Sequence, residues 1–355
     1  MTERDYLKDR FPQLSERLPR SGLASLPTRV GEHPVMFGSV ERRLSIKYDN
    51  LTGRLYGGNK LRKLEYIFPR AKERKCTRIA TFGAAGSNHA LATALYASAL
   101  GFSSTCFLIH QPITREVAAT LNKHIENGTE LVRFGGACSS RINTLREHLH
   151  GRHAWVIPMG GSSWLGNIGF VAAGLELADQ VARGEIGLPD RIYVGTGTMG
   201  TAVGIALGLA AAELNCEIHA VRVSHASIMN ETALRRLLHK TAFMMHRLDA
   251  TVPTDLATRT NIRIRDAFFE PGYARGTPQT EEAIAFASEH LDLALESTYT
   301  GKALAALLAD WRETGTDTFN ALYWHTCNST PLGVPTDQPL DPGALPREFL
   351  RYFVA

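Results

Sequence analysis

The stretch RIYVGTGTMGTAVGIALGLAAAEL, residues 191–214, decides the reading of this chain. It runs as a short apolar strand (191–194), a glycine loop GTGTMG (195–200) and a helix. The same order recurs on either side. RIATF (78–82) is a short apolar run suited to a buried strand, followed by GAAGSN (83–88) and the helical HALATALYASAL (89–100). STCFLIH (104–110) is a further strand. WVIP (155–158) leads through GGSSWLGN into the helical IGFVAAGLELADQVA (168–182), and EIHAVRV (217–223) and FNALYWH (319–325) complete the strands legible in the pattern. Strands alternating with helices imply right-handed crossovers and mostly parallel sheets covered on both faces. In such sheets ligands bind at the carboxyl ends of strands, where the glycine loops leave.

Composition fits this reading and removes others. The chain has 355 residues, 44% hydrophobic and 21% charged, which is ordinary globular composition and suits two domains or one large α/β unit. A net charge of +4, evenly spread, gives no argument for nucleic acid or a membrane surface. No apolar run reaches the roughly 18 residues of a membrane span. The first twenty residues, MTERDYLKDRFPQLSERLPR, are too charged for a signal peptide. Five scattered cysteines form no C-x-x-C pair, so a reducing cytoplasm is expected and no zinc or disulfide framework. Glu147, His148, His150 and His153 make a His-rich patch, but His148 and His150 point to different faces of a helix, so the patch reads as surface rather than metal site.

Three loops carry candidate chemistry. In GTGTMGT (195–201) glycines admit close backbone approach, a helix N-terminus offers free N–H groups, and Thr198 and Thr201 add hydroxyls, which suits a phosphate. The string also satisfies G-x-G-x-x-G through Gly195, Gly197 and Gly200. A dinucleotide would want an acidic residue at the end of the next strand, and Val223 and Ser224 stand there; a structural tight turn is the remaining alternative. In GAAGSNHA (83–90), Ser87 serves as a helix cap or, with Asn88 and His89, as part of a carboxylate-binding helix start; His89 either donates to a ligand or packs. In YGGNKLRKLEY (56–66), Lys60, Arg62 and Lys63 crowd charge into the first turn of a helix. That crowding and the helix dipole both lower a lysine pKa and favour a nucleophilic amine, whereas the bland alternative is a solvated basic face. A nucleophilic lysine, a phosphate cup and a carboxylate cup together meet the needs of pyridoxal phosphate chemistry on an amino acid.

On GGNKLRKLEY (57–66), GSNHALATA (86–94), GTGTMGT (195–201) and ESTYTGKALAAL (296–307), the chain resembles the D-cysteine desulfhydrase and 1-aminocyclopropane-1-carboxylate deaminase family, pyridoxal-phosphate enzymes of fold type II. The resemblance runs from FPQLSERLP near residue 11 to HTCNSTPLG near 333. It implies two open parallel-sheet α/β domains, a smaller one at 61–165 and a larger one from 1–60 plus 166–355, with the active site in the cleft between them. It further implies Lys60 as the Schiff-base lysine that also moves the Cα proton, and Ser87, Asn88 and His89 at the substrate, Asn88 lying also near the cofactor. Gly197, Thr198, Met199, Gly200 and Thr201 would hold the phosphate, Tyr273 and Tyr299 would flank the substrate, and Thr326 would approach the pyridine nitrogen. A small amino-acid substrate, a homodimer and a cytoplasmic location go with it.

Thr300 separates the two activities. The deaminase carries Glu there, whose charge would strengthen the electron sink; a hydroxyl suffices for a good β-leaving group, so β-elimination from D-cysteine is expected ahead of ring opening, with a cysteate sulfo-lyase as another possibility. The family's Gln before Ser-Asn is absent, and Ala85-Gly86 stand there. PGYG becomes PGYARG, which brings in Arg275, either a partner for an anionic substrate group or a solvated loop residue. HTGG becomes HTCN, with Cys327 and Asn328. Two rivals are a nicotinamide oxidoreductase and a non-catalytic cofactor-binding descendant.

Overall fold

A computed structural model describes residues 4–314, 318–333 and 338–353. The strands, in chain order, are β1 Val30–Phe37, β2 Val40–Tyr48, β3 Arg78–Ala84, β4 Ser103–Ile109, β5 Glu130–Arg133, β6 Ala154–Ile157, β7 Arg191–Thr196, β8 Glu217–Arg222, β9 Ile262–Arg265 and β10 Ala321–His325. The helices are α1 Tyr6–Arg10, α2 Pro12–Arg17, α3 Lys60–Glu73, α4 Asn88–Ala99, α5 Arg115–Glu126, α6 Cys138–Leu149, α7 Trp164–Ala182, α8 Gly200–Ala211, α9 Glu231–Leu248, α10 Pro278–Leu291 and α11 Thr300–Thr314. The chain separates into two units, one of Met1–Tyr66 with Ser162–Ser329, the other of Ile67–Gly161 with Thr330–Ala355.

The larger unit holds a six-stranded sheet in the order β1-β2-β10-β7-β8-β9, antiparallel between β1 and β2 and parallel elsewhere. Pro34 sits on the edge strand β1, opposite Arg43, where a missing N–H is tolerated. Helix α8 is buried along its whole length, as its uniformly apolar sequence requires. It can lie against α7 because glycines meet there: a Cβ on Gly174 would stand 2.6 Å from the Ile205 carbonyl oxygen. Behind the sheet, Lys47, Asp49, Arg62 and Glu176 form a buried ionic network. Arg62 spans both carboxylates, at 2.8 Å from Asp49 and 2.9 Å from Glu176, and the Trp324 indole donates to Asp49 at 2.8 Å. Burial opposes ionisation of Glu176, but Arg62 and Lys47 outweigh it and bring the carboxyl down to about 2.

The smaller unit holds a wholly parallel sheet in the order β5-β4-β3-β6. The resemblance implies that everything after 166 belongs to the larger domain, but the C-terminal segment packs on the smaller one. Leu345, Phe349, Tyr352 and Phe353 share a core with Ala85, Leu108, Val117 and Leu121, so burial of these large apolar side chains sets the segment's place.

Candidate active site

In the larger unit the loops leaving β7 and β10 and the start of α3 come together. Lys60 is the first residue of α3. Its approach is fixed by Gly58, whose φ of +89 excludes other residues and whose Cβ would lie 3.0 Å from the Thr326 carbonyl oxygen. Asn59 N–H donates to that same oxygen at 3.1 Å, and Gly57 N–H donates to Asn328 Oδ1 at 2.7 Å, so the segment after β10 forms the floor under the glycine lead. The Asn59 side chain joins two predicted functions. Its Oδ1 accepts from Lys60 Nζ at 2.9 Å, and its Nδ2 donates to Thr201 Oγ1 at 3.2 Å. The candidate nucleophile and the candidate phosphate turn are thus linked by one amide.

Lys60 keeps partial access to solvent, yet the surrounding protein strips enough hydration to push its ammonium down to about 8, against the opposing pull of Cys327 and Glu296. Cys327, whose thiol is pushed up by burial, stays neutral beside it. Arg62 and Lys63, at 1% and 2% exposure, overturn the solvated-face alternative: the first joins the ionic network and the second turns toward the phosphate loop. Lys63 Nζ donates to Ser162 Oγ at 3.0 Å, and Ser162 Oγ bonds to Thr198 Oγ1 at 2.6 Å and accepts from Gly200 N at 3.3 Å. Burial and then Lys60 hold the Lys63 ammonium well below its ordinary range.

The 195–201 turn fits a phosphate group. Met199, in the left-handed region at φ +64, opens α8 without a side-chain cap, so helix geometry leaves first-turn N–H groups for a ligand. A Cβ at Gly200 would strike the Asn167 side chain, Ser162 Oγ at 2.6 Å and Lys63 Nζ at 2.8 Å; glycine there keeps the cradle open for these three polar side chains. A bound dianion would offset this depression by favouring the charged amine beside it. Sequence reasoning missed Asn59, Lys63 and Ser162. Lys63 was legible, since it lies one helical turn from Lys60 on the same face.

Tyr299 precedes α11, with its ring centroid 5.6 Å from Lys60 Nζ. Tyr273 meets it edge-on at 6.1 Å. Burial raises both phenols, that of Tyr299 well above its ordinary range and further so through Tyr273, so both keep their protons at neutral pH. Glu296, also missed, caps α11 by accepting from the N–H groups of Thr298, Tyr299 and Thr300 at 2.7, 2.9 and 2.8 Å. Thr300 Oγ1 turns into this cap, 3.0 Å from Glu296 Oε1. Lys302, brought down to about 8 by burial, grips the carbonyls of Phe269 and Gly272 at 2.7 and 3.0 Å and so holds the loop carrying Tyr273. Arg275 is exposed, and the His325 imidazole at the end of β10, lowered by burial to about 4, is neutral.

In the smaller unit Ser87 caps α4, its Oγ accepting from Ala90 N at 3.3 Å. A Cβ at Gly83 would lie 2.6 Å from that of Ser87, so glycine lets β3 turn tightly into the helix. His89 is buried, with Nε2 2.9 Å from Thr81 Oγ1. Among the described residues no group of three or more side chains could hold a metal ion, and His148 pairs with Glu130 at 2.9 Å.

Comparison with known proteins agrees with this geometry. The family described as pyridoxal-phosphate dependent enzyme matches residues 24–318. The chain is 31% identical to a D-cysteine desulfhydrase of Salmonella choleraesuis (strain SC-B67) over 305 residues, covering 82% of this chain and 88% of that protein. It is 32% identical to a nocardicin C-9' epimerase of Nocardia uniformis subsp. tsuyamanensis over 326 residues, covering 89% and 94%. Among solved structures, an ACC deaminase homologue superposes with a TM-score of 0.74 at 26% identity, covering 92% of this chain and 95% of that one. The dinucleotide reading of 195–200 falls with these matches. The chain belongs to the pyridoxal-phosphate dependent enzyme family, with the fold-type II architecture and with pyridoxal 5'-phosphate as its cofactor.

Proposed function

We propose that the chain is a lyase that eliminates a β-substituent from a small amino acid, with D-cysteine as the leading substrate and pyruvate, sulfide and ammonia as products. The observation that carries this is the Asn59 bridge, which ties the Lys60 amine to Thr201 of the phosphate turn. When bound, pyridoxal phosphate supplies an aldehyde for amine condensation and a conjugated ring that takes up electrons released at Cα.

Each residue then has a task its surroundings suit. Lys60, with an ammonium at about 8, presents a share of neutral amine near physiological pH, and its Nζ would take the Cα proton. Gly197, Thr198, Met199, Gly200 and Thr201 receive the phosphate through N–H and hydroxyl groups, with Lys63 and Ser162 behind them. Ser87 and Asn88 take the substrate carboxylate at the start of α4, and His89, tied to Thr81, steadies that turn. The protonated phenols of Tyr273 and Tyr299 flank the substrate and can donate to the departing group. Thr326 would approach the pyridine nitrogen. Thr300 itself carries no carboxylate, and the nearby Glu296 carboxylate is taken up by the N–H groups of the α11 cap, which favours elimination of a good leaving group over ring opening. Exposed Arg275 gives little support to a sulfonate substrate.

A second reading, epimerisation at Cα, is favoured by the likeness to the nocardicin C-9' epimerase, since it needs the same proton transfer without departure of a group. Five unpaired cysteines suit a reducing cytoplasm, and the reading includes a homodimer, to be checked by sedimentation. The test is a panel of D- and L-amino acids with ammonia, 2-oxo acid and Cα-proton exchange measured together. Matched ammonia and pyruvate from D-cysteine support the lyase; exchange without either product supports the epimerase; neither with any substrate defeats both.

A further inference from the structure

The turn 84–87 precedes Ser87 and has glycine at 86, where the resembling family carries Gln. The space above Gly86 is filled by another side chain. A Cβ on Gly86 would meet Gln111 Nε2 at 3.0 Å and Oε1 at 3.3 Å, and Gln111 Oε1 accepts from Gly86 N–H at 2.9 Å. Gln111 lies just beyond β4, and its backbone is held on both sides by one hydroxyl. Gln111 N–H donates to Tyr352 Oη at 2.9 Å, and Tyr352 Oη donates to Gln111 carbonyl oxygen at 3.1 Å. Tyr352 is itself fixed in the core shared by the C-terminal segment and Val117.

We propose that Gln111 is a positioning residue for substrate binding: its carboxamide, carried on a backbone clamped by Tyr352, occupies the place of a side chain at 86 and sets the turn that presents Ser87 and Asn88 to the substrate carboxylate. This rests on the assignment of those two residues to the carboxylate. Gly86 has no left-handed φ, so its backbone accepts a side chain once Gln111 is cut back and Val117 Cγ2, which its Cβ would meet at 3.0 Å, gives by a few tenths of an ångström. The amide has therefore moved from the turn to a neighbouring strand end, and with it the turn has become dependent on the C-terminal segment.

The experiment compares holoenzyme of wild type, Gln111→Leu and the double variant Gly86→Gln/Gln111→Ala, by hydrogen exchange of segment 83–91 and by steady-state kinetics on the best amino acid of the panel. Loss of a hydrogen bond within the turn is expected to speed exchange there and raise KM by about 10-fold in Gln111→Leu. kcat should stay within about threefold and the cofactor absorbance should not shift, because the bond acts on binding rather than on the chemical step. The double variant should recover KM to within about threefold of wild type. Wild-type KM and exchange in Gln111→Leu, or a double variant as impaired as Gln111→Leu, would overturn the proposal. If no amino acid is turned over, the substrate assignment fails by itself, and local exchange in the variants still decides whether Gln111 sets the turn.

Discussion

Two helix N-termini in this molecule are proposed to receive anions, and they are built differently. Helix α8 begins with Met199 and no side-chain cap, while Lys63, Ser162 and Asn59 converge on its first turn from other elements. Helix α4 begins with Ser87, which already satisfies its own Ala90 N–H, and its surroundings at Thr81 and Gln111 are neutral hydrogen bonds. An uncapped end with a buried amine beside it gains most from an anion that never leaves. A self-capped end loses little when its anion departs, which suits a ligand that exchanges every turnover. The contrast separates retention from turnover by the cost of the empty state.

The largest effect is expected at Lys60. Lys60→Ala should remove the Schiff-base band at ~420 nm and lower kcat by at least about 1000-fold. Cofactor uptake by wild-type apoenzyme should accelerate as pH rises, with a midpoint near 8, because only the neutral amine attacks; a midpoint above 10 would show that burial does not tune this amine. Next comes the ionic network behind the phosphate side. Glu176→Leu leaves Arg62 and Lys47 buried without one carboxylate and should cost about 3–5 kcal/mol in denaturant unfolding. In the wild type the Glu176 carboxyl lies below its ordinary 4.5, so its stabilisation is complete above that value and is lost as pH falls toward about 2. Thr201→Val should weaken cofactor affinity by about 10-fold in a titration of apoenzyme, the value of one hydrogen bond to a charged group. Ser87→Ala is the mildest: about 1 kcal/mol of stability from the lost cap, with a KM several-fold higher and cofactor affinity unchanged. Equal loss of cofactor affinity in Thr201→Val and Ser87→Ala would erase the distinction between the two helix ends.

Much of this was legible before any coordinates. The strand–glycine–helix units around 83–100 and 191–214 were read correctly because a short apolar run, glycine punctuation and a long helical stretch leave little alternative. Strands β1 and β2 were not, since VGEHPVMF carries a proline and VERRLSIKY buries Lys47 through partners more than 100 residues away. The same non-locality hid the fate of Arg62 and Lys63. Charge crowding in one turn says nothing of whether water or a distant carboxylate answers it. Glu176, one of very few acidic residues in the long apolar run of α7, was the available signal that a buried cation awaited it. Gln111 could not have been found from spacing, because its role depends on side-chain reach across a turn.

The six-stranded sheet also imposes an order on biosynthesis. Strand β10, residues 321–325, pairs with β2 on one side and β7 on the other, so a strand in the middle of the sheet is the last of its six to be synthesised. Until the ribosome has released those five residues, β2 and β7 each present an open edge, and a stalled or prematurely terminated chain would expose both to adventitious pairing. Premature stop codons upstream of 321 should therefore yield aggregates rather than soluble fragments, and nascent chains of this length should be clients of holdase chaperones.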